Sequence, residues 1–310
     1  MKVAFVFPGQ GAQSPGMGRG LNDAFDVSRE TFASADSALG FPLSEMCFAG
    51  TAEELALTKN TQPAILTVSV AAWRALADRG VTPEAAAGHS LGEYSAHVAA
   101  GTLPFEDAVR SVRSRGRFMQ EAVPVGQGAM AAILGLDVDV VRGVCGRVAD
   151  HEVVEAANIN APGQVVLAGH AGAVARAVEG CREAGARRAV ELDVSAPFHS
   201  SLMRPAAERL APVLDEVVFS DPAFPVYTNV DAEPVTRGAA ARDALIRQVD
   251  SPVRWLELTQ RMVADGFDTF VELGPGNVLC GLARRIDRQL KTVSVSDPEG
   301  LEKALVVLGG

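Results

Sequence analysis

One turn constrains this chain more than any other part of it. In EAAAGHSLGEYSAHVAAG, Glu84 to Gly101, an apolar run ends at Ala87 and a helix-forming run starts at Leu91 and closes at Gly101. A backbone that passes from buried strand to helix within so few residues crowds whatever flanks the turn. Glycine stands at both crowded positions, Gly88 and Gly92, where a Cβ would clash. Ser90 between them is pushed outward, and the first helical amides point at its oxygen with the partial positive charge of a helix N-terminus.

This G-x-S-x-G pattern, with a strand before it and a helix after it, has the form of a nucleophile elbow. The same serine would serve as a plain N-cap, so the pattern alone leaves both roles open. A hydroxyl becomes a useful nucleophile when a base takes its proton, and histidine is the usual base. Five histidines are present. His89 adjoins Ser90 on the turn, where neighbouring side chains diverge, which suits packing or a supporting hydrogen bond. His97 falls within the following helix, as a satisfied structural histidine would. His151 and His170 lie at loop edges. His199, in DVSAPFHSSLM, sits at the rim of the cleft that the domain pattern implies, and it is the best placed of the five. About a third of the chain follows it, unlike the late histidine of an α/β-hydrolase, and Glu191 and Asp193 are patterned to face away with their strand. A Ser-His pair without a dedicated acid follows.

The strand–loop–helix rhythm around the elbow predicts a mostly parallel sheet flanked by helices. Val3 to Phe7 reads as a buried strand, Pro63 as the opening of an apolar helix ending near Gly80, and Phe105 to Ala122 as a long helix. Between Gly126 and Asp193 the order changes to β-α-β-β-α-β, the ferredoxin-like arrangement, with Pro162-Gly163 in its central loop. The first rhythm then returns, with helices near Leu202 to Glu216, Ala239 to Val249 and Trp255 to Asp265, and strands near Pro225, Thr269 and Lys291. The expected fold is therefore α/β: a hydrolase-like core of residues 1–125 and 194–310, with a small subdomain of residues 126–193 inserted in it. A cleft between the two is the natural place for a site.

With 48% hydrophobic and 21% charged residues, the 310-residue chain reads as an ordinary globular protein with room for a sizeable core. Its net charge of -10 argues against nucleic-acid binding. Cys47, Cys145, Cys181 and Cys280 are scattered, with no metal-ligand spacing, which fits a reducing cytoplasm and no bound metal. Pro8-Gly9 cuts the first apolar run below the length of a signal peptide, and no run approaches a membrane span.

Two further elements point at the cleft. The loop FPGQGAQSPGMG follows the first strand but lacks both phosphate-loop spacings. Its Gln10 either aims an amide at an oxyanion or belongs to a tight surface turn. In RSVRSRGRFMQEAVP, Arg110, Arg113, Arg115 and Arg117 would ordinarily be solvated charge. Arg115 precedes Gly116, however, where one backbone can approach another and turn its neighbour inward. A buried arginine usually clamps a carboxylate or phosphate.

Taken in order, FPGQGAQ, GHSLGEYSA, RGRFMQEAVP, NINAPGQVVLAG, APFHSSLM and ELGPGNVLCGL resemble the malonyl-CoA:acyl carrier protein transacylase family over essentially the whole chain. The resemblance implies that Ser90 carries the acyl group and His199 is its base, with Gln10 and the backbone amide of Leu91 forming the oxyanion hole. It further implies that Arg115 pairs with the free malonyl carboxylate, that the backbone carbonyl of Gln248 orients His199, and that Asn160, in the central loop of the insert, lines the substrate site. Phe198, before the histidine, is where polyketide acyltransferases often carry Phe with malonyl and Ser with methylmalonyl, although many fatty-acid enzymes have Ser and use malonyl. A ring there leaves less room for an α-methyl branch, worth ~1–3 kcal/mol.

By the same resemblance the reaction is ping-pong, with malonyl-CoA and holo-acyl carrier protein as partners and no cofactor. A cytoplasmic monomer that binds neither membrane nor nucleic acid is expected. The alternatives are a stand-alone acyltransferase serving a polyketide pathway in trans and a serine thioesterase, which would have no use for a buried cation. A catalytically silent interaction module would not need Gln10, Ser90, Arg115 and His199 together.

Overall fold

A computed structural model describes residues 1–192, 194 and 196–309. Its strands are Val3–Phe7 (β1), Ala85–Gly88 (β2), Gly128–Leu134 (β3), Val154–Ala161 (β4), Gln164–His170 (β5), Arg188–Glu191 (β6), Val226–Tyr227 (β7), Pro234–Val235 (β8), Thr269–Leu273 (β9) and Lys291–Val295 (β10). They form a six-stranded sheet in the order β10-β9-β1-β2-β7-β8 and a four-stranded sheet in the order β4-β5-β3-β6. The large sheet is parallel except for the short edge strand β8.

A parallel sheet is covered on both faces, so its central strands are apolar throughout. In β1, Val3, Phe5 and Phe7 enter one hydrophobic cluster while Ala4 and Val6 enter another on the opposite face. β1 pairs with β9 on one side and β2 on the other, with Phe7 opposite Gly88. The Gly-rich loop after β1 and the turn after β2 therefore leave the sheet side by side at its carboxyl edge, where open α/β sheets bind ligands.

The insert is antiparallel throughout, and its helices Val138–Val148 and Ala171–Glu183 complete the β-α-β-β-α-β order. It has an apolar cluster of its own, which includes Ile133, Val144, Val165, Leu167, Val174 and Cys181. The expected boundary at Asp193 falls outside the described residues. Strand β4 also touches the large domain through its backbone: Ile159 N–H donates to Val253 O, and Val253 N–H donates to Ala157 O, each at 2.9 Å. Nearby, the Glu155 carboxylate accepts from Ser201 N–H at 2.8 Å and Ser201 O–H at 2.9 Å, two residues beyond His199.

One expectation needs correction, and one region carries structure that no expectation covered. Pro63 does not open its helix, which spans Thr58–Ala77. Proline within a helix leaves the carbonyl four residues earlier without its donor. Here that carbonyl belongs to Lys59, and the Arg113 guanidinium donates to it at 2.7 Å. The region between the first loop and Thr58 also holds helices the apolar rhythm does not signal, the longest being Asp26–Leu39. Its buried stripe is Ser28, Thr31, Phe32 and Ala35, half of it hydroxyl residues. Ser28 and Thr31 satisfy themselves on the Ala71 and Val27 carbonyls, so the helical period is present but not hydrophobic.

Candidate active site

The turn after β2 is as crowded as its glycines imply. A Cβ on Gly88 would lie 1.9 Å from the carbonyl carbon of Gly92, and one on Gly92 would lie 2.0 Å from Phe7 O. Ser90 takes the left-handed conformation, φ 51°, a region costly for a residue with a Cβ. Asn229, just after β7, holds it there. Its Oδ1 accepts from Ser90 N–H at 2.6 Å and its Nδ2 donates to Gly88 O at 2.7 Å. The helix that follows, Gly92–Ala99, has no side-chain cap, so Ser90 is not its N-cap. The Leu91 amide has no acceptor among the described residues and lines the cleft.

Ser90 Oγ lies 2.7 Å from His199 Nε2. On the other side of the ring, Nδ1 lies 3.0 Å from the Gln248 carbonyl oxygen. A carbonyl only accepts, so Nδ1 carries the proton and Nε2 is free to take one from serine. His199 is buried, and burial together with the nearby Arg115 charge brings its pKa down to about 3. The ring is therefore neutral at physiological pH, as a base must be.

Arg115 is 1% exposed. Gly116 makes this possible, since a Cβ there would meet Thr58 O at 2.6 Å, so the two helices touch backbone to backbone. Burial lowers the Arg115 pKa, and its hydrogen bonds all go to neutral groups: Gln62 Oε1 at 3.0 Å, Gln248 Oε1 at 2.9 Å and Ser90 Oγ at 3.2 Å. A buried cation bonded to neutral acceptors is costly unless an anion joins it. Beyond Gln248 lies Glu93, whose Oε2 accepts from Gln248 Nε2 at 2.8 Å and from Asn229 N–H at 2.8 Å. Burial pushes the Glu93 carboxyl up to about 7.

These groups line a cleft of about 280 Å³ between the carboxyl edge of the large sheet and the insert. Gln10 stands exposed at its lip, on the loop after β1. That loop rests on the turn, because a Cβ on Gly9 would come within 2.4 Å of His89 O. Phe198, Met119, Met130 and Val194 form apolar wall. The opposite wall is the helix Val278–Ile286, whose first amides are held by Glu272 of β9, at 3.1 Å from Leu279 N and 2.8 Å from Cys280 N.

Asn160 lines the cleft but belongs to strand β4 rather than a loop, because that strand continues two residues beyond its apolar run. Its Oδ1 lies 2.8 Å from His89 Nε2, and His89 also packs on Trp255 with ring centroids 5.6 Å apart. His97 is not a satisfied histidine. It is fully buried, neither ring nitrogen has a hydrogen-bond partner among the described residues, and burial lowers its pKa to about 3. His151 is exposed, and His170 Nδ1 accepts from Val153 N–H. The cleft thus gathers Gln10, Ser90, Leu91, Arg115, Asn160, Phe198 and His199, with Gln248 behind the histidine. Gln62, Glu93 and Asn229 were not anticipated. Gln62 and Glu93 adjoin recognisable features, Pro63 and the G-x-S-x-G turn, and Asn229 follows the strand expected near Pro225, yet nothing in its own residue type or spacing points to the turn it holds.

The sequence pattern of the acyl transferase domain family matches residues 4–298. The malonyl CoA-acyl carrier protein transacylase of Bacillus subtilis (strain 168) is 50% identical over 99% of this chain and 97% of its own length. That of Escherichia coli (strain K12) is 49% identical over 98% of this chain and 99% of its own. Among solved structures, a malonyl-transacylase in complex with its holo type II PKS acyl-carrier protein is 47% identical and superposes with a TM-score of 0.96 or better, namely 0.97, covering 99% of this chain and 100% of that one. With a serine, a neutral imidazole and a buried cation that bonds no carboxylate among the described residues at one cleft, and relatives alike from end to end, the chain belongs to the malonyl CoA-acyl carrier protein transacylase family of acyl transferases.

Proposed function

We propose that the protein moves a malonyl group from malonyl-CoA to the phosphopantetheine thiol of a holo-acyl carrier protein. One observation carries this reading: the Arg115 guanidinium, buried and bonded to neutral partners, lies 3.2 Å from Ser90 Oγ. A free carboxylate on the acyl group supplies the missing anion at the distance where the acyl carbon meets the serine.

Ser90 Oγ attacks the thioester carbonyl as its proton passes to His199 Nε2. The oxyanion is received by Gln10 and the Leu91 amide. The C–S bond breaks, His199 returns the proton to the departing CoA sulfur, and a malonyl-serine ester remains. The carrier thiol then repeats the steps in reverse: His199 takes the thiol proton, the sulfur forms the new C–S bond, the acyl C–Oγ bond breaks, and His199 Nε2 returns its proton to Ser90 Oγ. Imidazole and amides supply acid, base and charge stabilisation, so the route calls for no metal or organic cofactor. Arg115 holds the carboxylate throughout, Phe198 and Asn160 border the acyl group, and Gln248 O keeps the imidazole in its tautomer. Every one of these groups comes from one chain, which suits a monomer. The four cysteines are free thiols, as in the cytoplasm, and among the described residues no helix is long and apolar enough to cross a membrane.

The test is intact-protein mass spectrometry after brief incubation with malonyl-CoA, methylmalonyl-CoA and acetyl-CoA in competition, with Ser90→Ala as control. A dominant malonyl adduct that is lost in Ser90→Ala supports the reading. Release of CoA with no adduct would replace transfer by thioester hydrolysis.

A further inference from the structure

Glu93 lies one residue inside the helix that follows the turn, and its side chain is fully buried. Burying a carboxylate is expensive, and no arginine or lysine bonds to this one among the described residues. Its two hydrogen bonds converge on one oxygen. Oε2 accepts from Asn229 N–H and from Gln248 Nε2, each at 2.8 Å.

The two donors belong to the residues that hold opposite halves of the site. Asn229 seats the turn, since its side chain binds Ser90 N–H and Gly88 O. Gln248 seats the rest. Its carbonyl faces His199 Nδ1, its Oε1 accepts from Arg115 Nη2, and its Nε2 also donates to Ser90 O at 3.0 Å. Asn229 and Gln248 come from separate segments of the chain, after β7 and after the helix Gly238–Arg247 respectively. Glu93 Oε2 is an acceptor that the two share.

We propose that Glu93 is a positioning residue, whose single shared oxygen sets Ser90, His199 and Arg115 in register with one another. The proposal rests on the roles assigned above to those three. Glu93 touches none of the reacting atoms. It acts through Gln248 and Asn229, and what it must supply is an acceptor at one point, not a charge. Its other oxygen, Oε1, has no hydrogen-bond partner among the described residues and faces His97 Nε2 at 4.0 Å. A glutamine can therefore keep an oxygen toward Asn229 and Gln248 while turning its NH₂ toward His97. A leucine fills similar space and offers no acceptor.

The experiment compares Glu93→Gln and Glu93→Leu with the unaltered protein, each checked for native melting temperature and near-UV dichroism. Two rates are read: labelling of Ser90 by a neutral fluorophosphonate, and single-turnover acylation by malonyl-CoA and acetyl-CoA. In Glu93→Leu, labelling is expected to fall about 100-fold and to rise tenfold per pH unit, as hydroxide replaces the displaced imidazole. Its preference for malonyl over acetyl is expected to fall as well, because Arg115 loses its seat. Glu93→Gln is expected to stay within about tenfold of the parent on both measures.

Equal losses in the two variants would overturn the proposal in favour of a need for charge, and so would labelling by Glu93→Leu within about threefold of the parent. Should Glu93→Leu fail to fold, Gln248→Met decides. It keeps the backbone carbonyl and the length of the side chain but removes the amide that joins Glu93 to Arg115, so it must lose malonyl preference, and an unchanged preference overturns the proposal. Fluorophosphonate labelling does not depend on the acyl group, so a parent that labels normally but takes no malonyl adduct would refute the malonyl reading and leave Glu93 to be judged on labelling alone.

Discussion

Ser90 and His199 meet side chain to side chain at 2.7 Å, and each holds its backbone in the left-handed region, at φ 51° and φ 61°. Of the four non-glycine residues in that conformation among the described residues, these two face one another at the candidate site, where such strain must be held by the surroundings. The strain is held by neighbours: Asn229 and the Gly88–Gly92 contact for Ser90, and the Glu155–Ser201 bonds just beyond His199.

Releasing that strain should stabilise the protein as it abolishes the nucleophile. Ser90→Gly is expected to unfold at a higher urea concentration than Ser90→Ala, by about 1 kcal/mol, although glycine elsewhere usually costs about that much. Urea denaturation of the pair measures it. Equal or lower stability for Ser90→Gly would show that the turn is relaxed.

Removing Arg115 should separate acyl groups by charge. Arg115→Ala is expected to lower kcat/KM for malonyl transfer by about 100-fold or more, as losing one partner of a buried charge pair costs ~2–5 kcal/mol. Transfer of a neutral acetyl group should change far less. Steady-state kinetics with both thioesters decides it, and equal losses would refute a carboxylate clamp.

Stability should decline on the acid side of neutrality. His97 and His199 have folded pKa values of about 3, against about 6.5 when unfolded. Their contribution is complete above pH 6.5 and is lost as pH falls toward 3, because only the unfolded chain takes up those protons. Glu93 runs the other way: its folded pKa of about 7 means that its share is complete below about 4.5 and is lost as pH rises through 7. His89, lowered by burial, adds to the histidines, and Glu272, raised by burial, adds to the carboxyl; the histidines outweigh the carboxyls, so the urea midpoint should fall between pH 6.5 and 4.5 and fall more steeply below 4.5. A His97→Gln variant should flatten the first part. A midpoint independent of pH over that range would contradict buried neutral imidazoles.

The carrier protein should dock beside the insert and the wall helix. Arg284 and Arg285 are exposed at the end of the helix Val278–Ile286, and Arg285 bonds to Gln164 at the cleft lip. Exposed Arg188 lies across β3 from that glutamine. Carrier proteins are typically acidic, so charges here steer the encounter. Reversing Arg284 and Arg285 to glutamate together is expected to raise KM for the carrier severalfold, more at low salt, while single-turnover acylation by malonyl-CoA stays unchanged. An unaltered KM would remove the patch from consideration.

Ser90 was legible because the turn around it allows few residues, and the backbone carries that signal locally. Arg115 was legible through Gly116, again a local steric mark. His199 emerged only from its place after the insert; the loop around Gln10 left an oxyanion donor and a surface turn equally open, and the role of Gln248 came from family resemblance alone, since a backbone carbonyl leaves no trace in residue type. Glu93 and Asn229 escaped notice because their meaning lies in a contact between residues 136 positions apart. The helices before Thr58 escaped because serine and threonine fill positions where leucine would have announced them. β8 and the helices Val278–Ile286 and Pro298–Leu308 have no counterpart in the sequence reading either, the last two following their strands after four and two residues.

The backbone stitch at Val253 has a consequence for how a carrier is served. Drawing the insert down over a bound substrate would break the backbone hydrogen bonds that join it to Val253, five residues from Gln248, whose carbonyl faces His199. The catalytic geometry and the aperture are thus tied to the same stretch of chain. A slot tied down in this way is expected to stay open through the reaction, so that reach falls to the incoming thiol, and a carrier arm shortened by a few bonds should then fail to collect the acyl group.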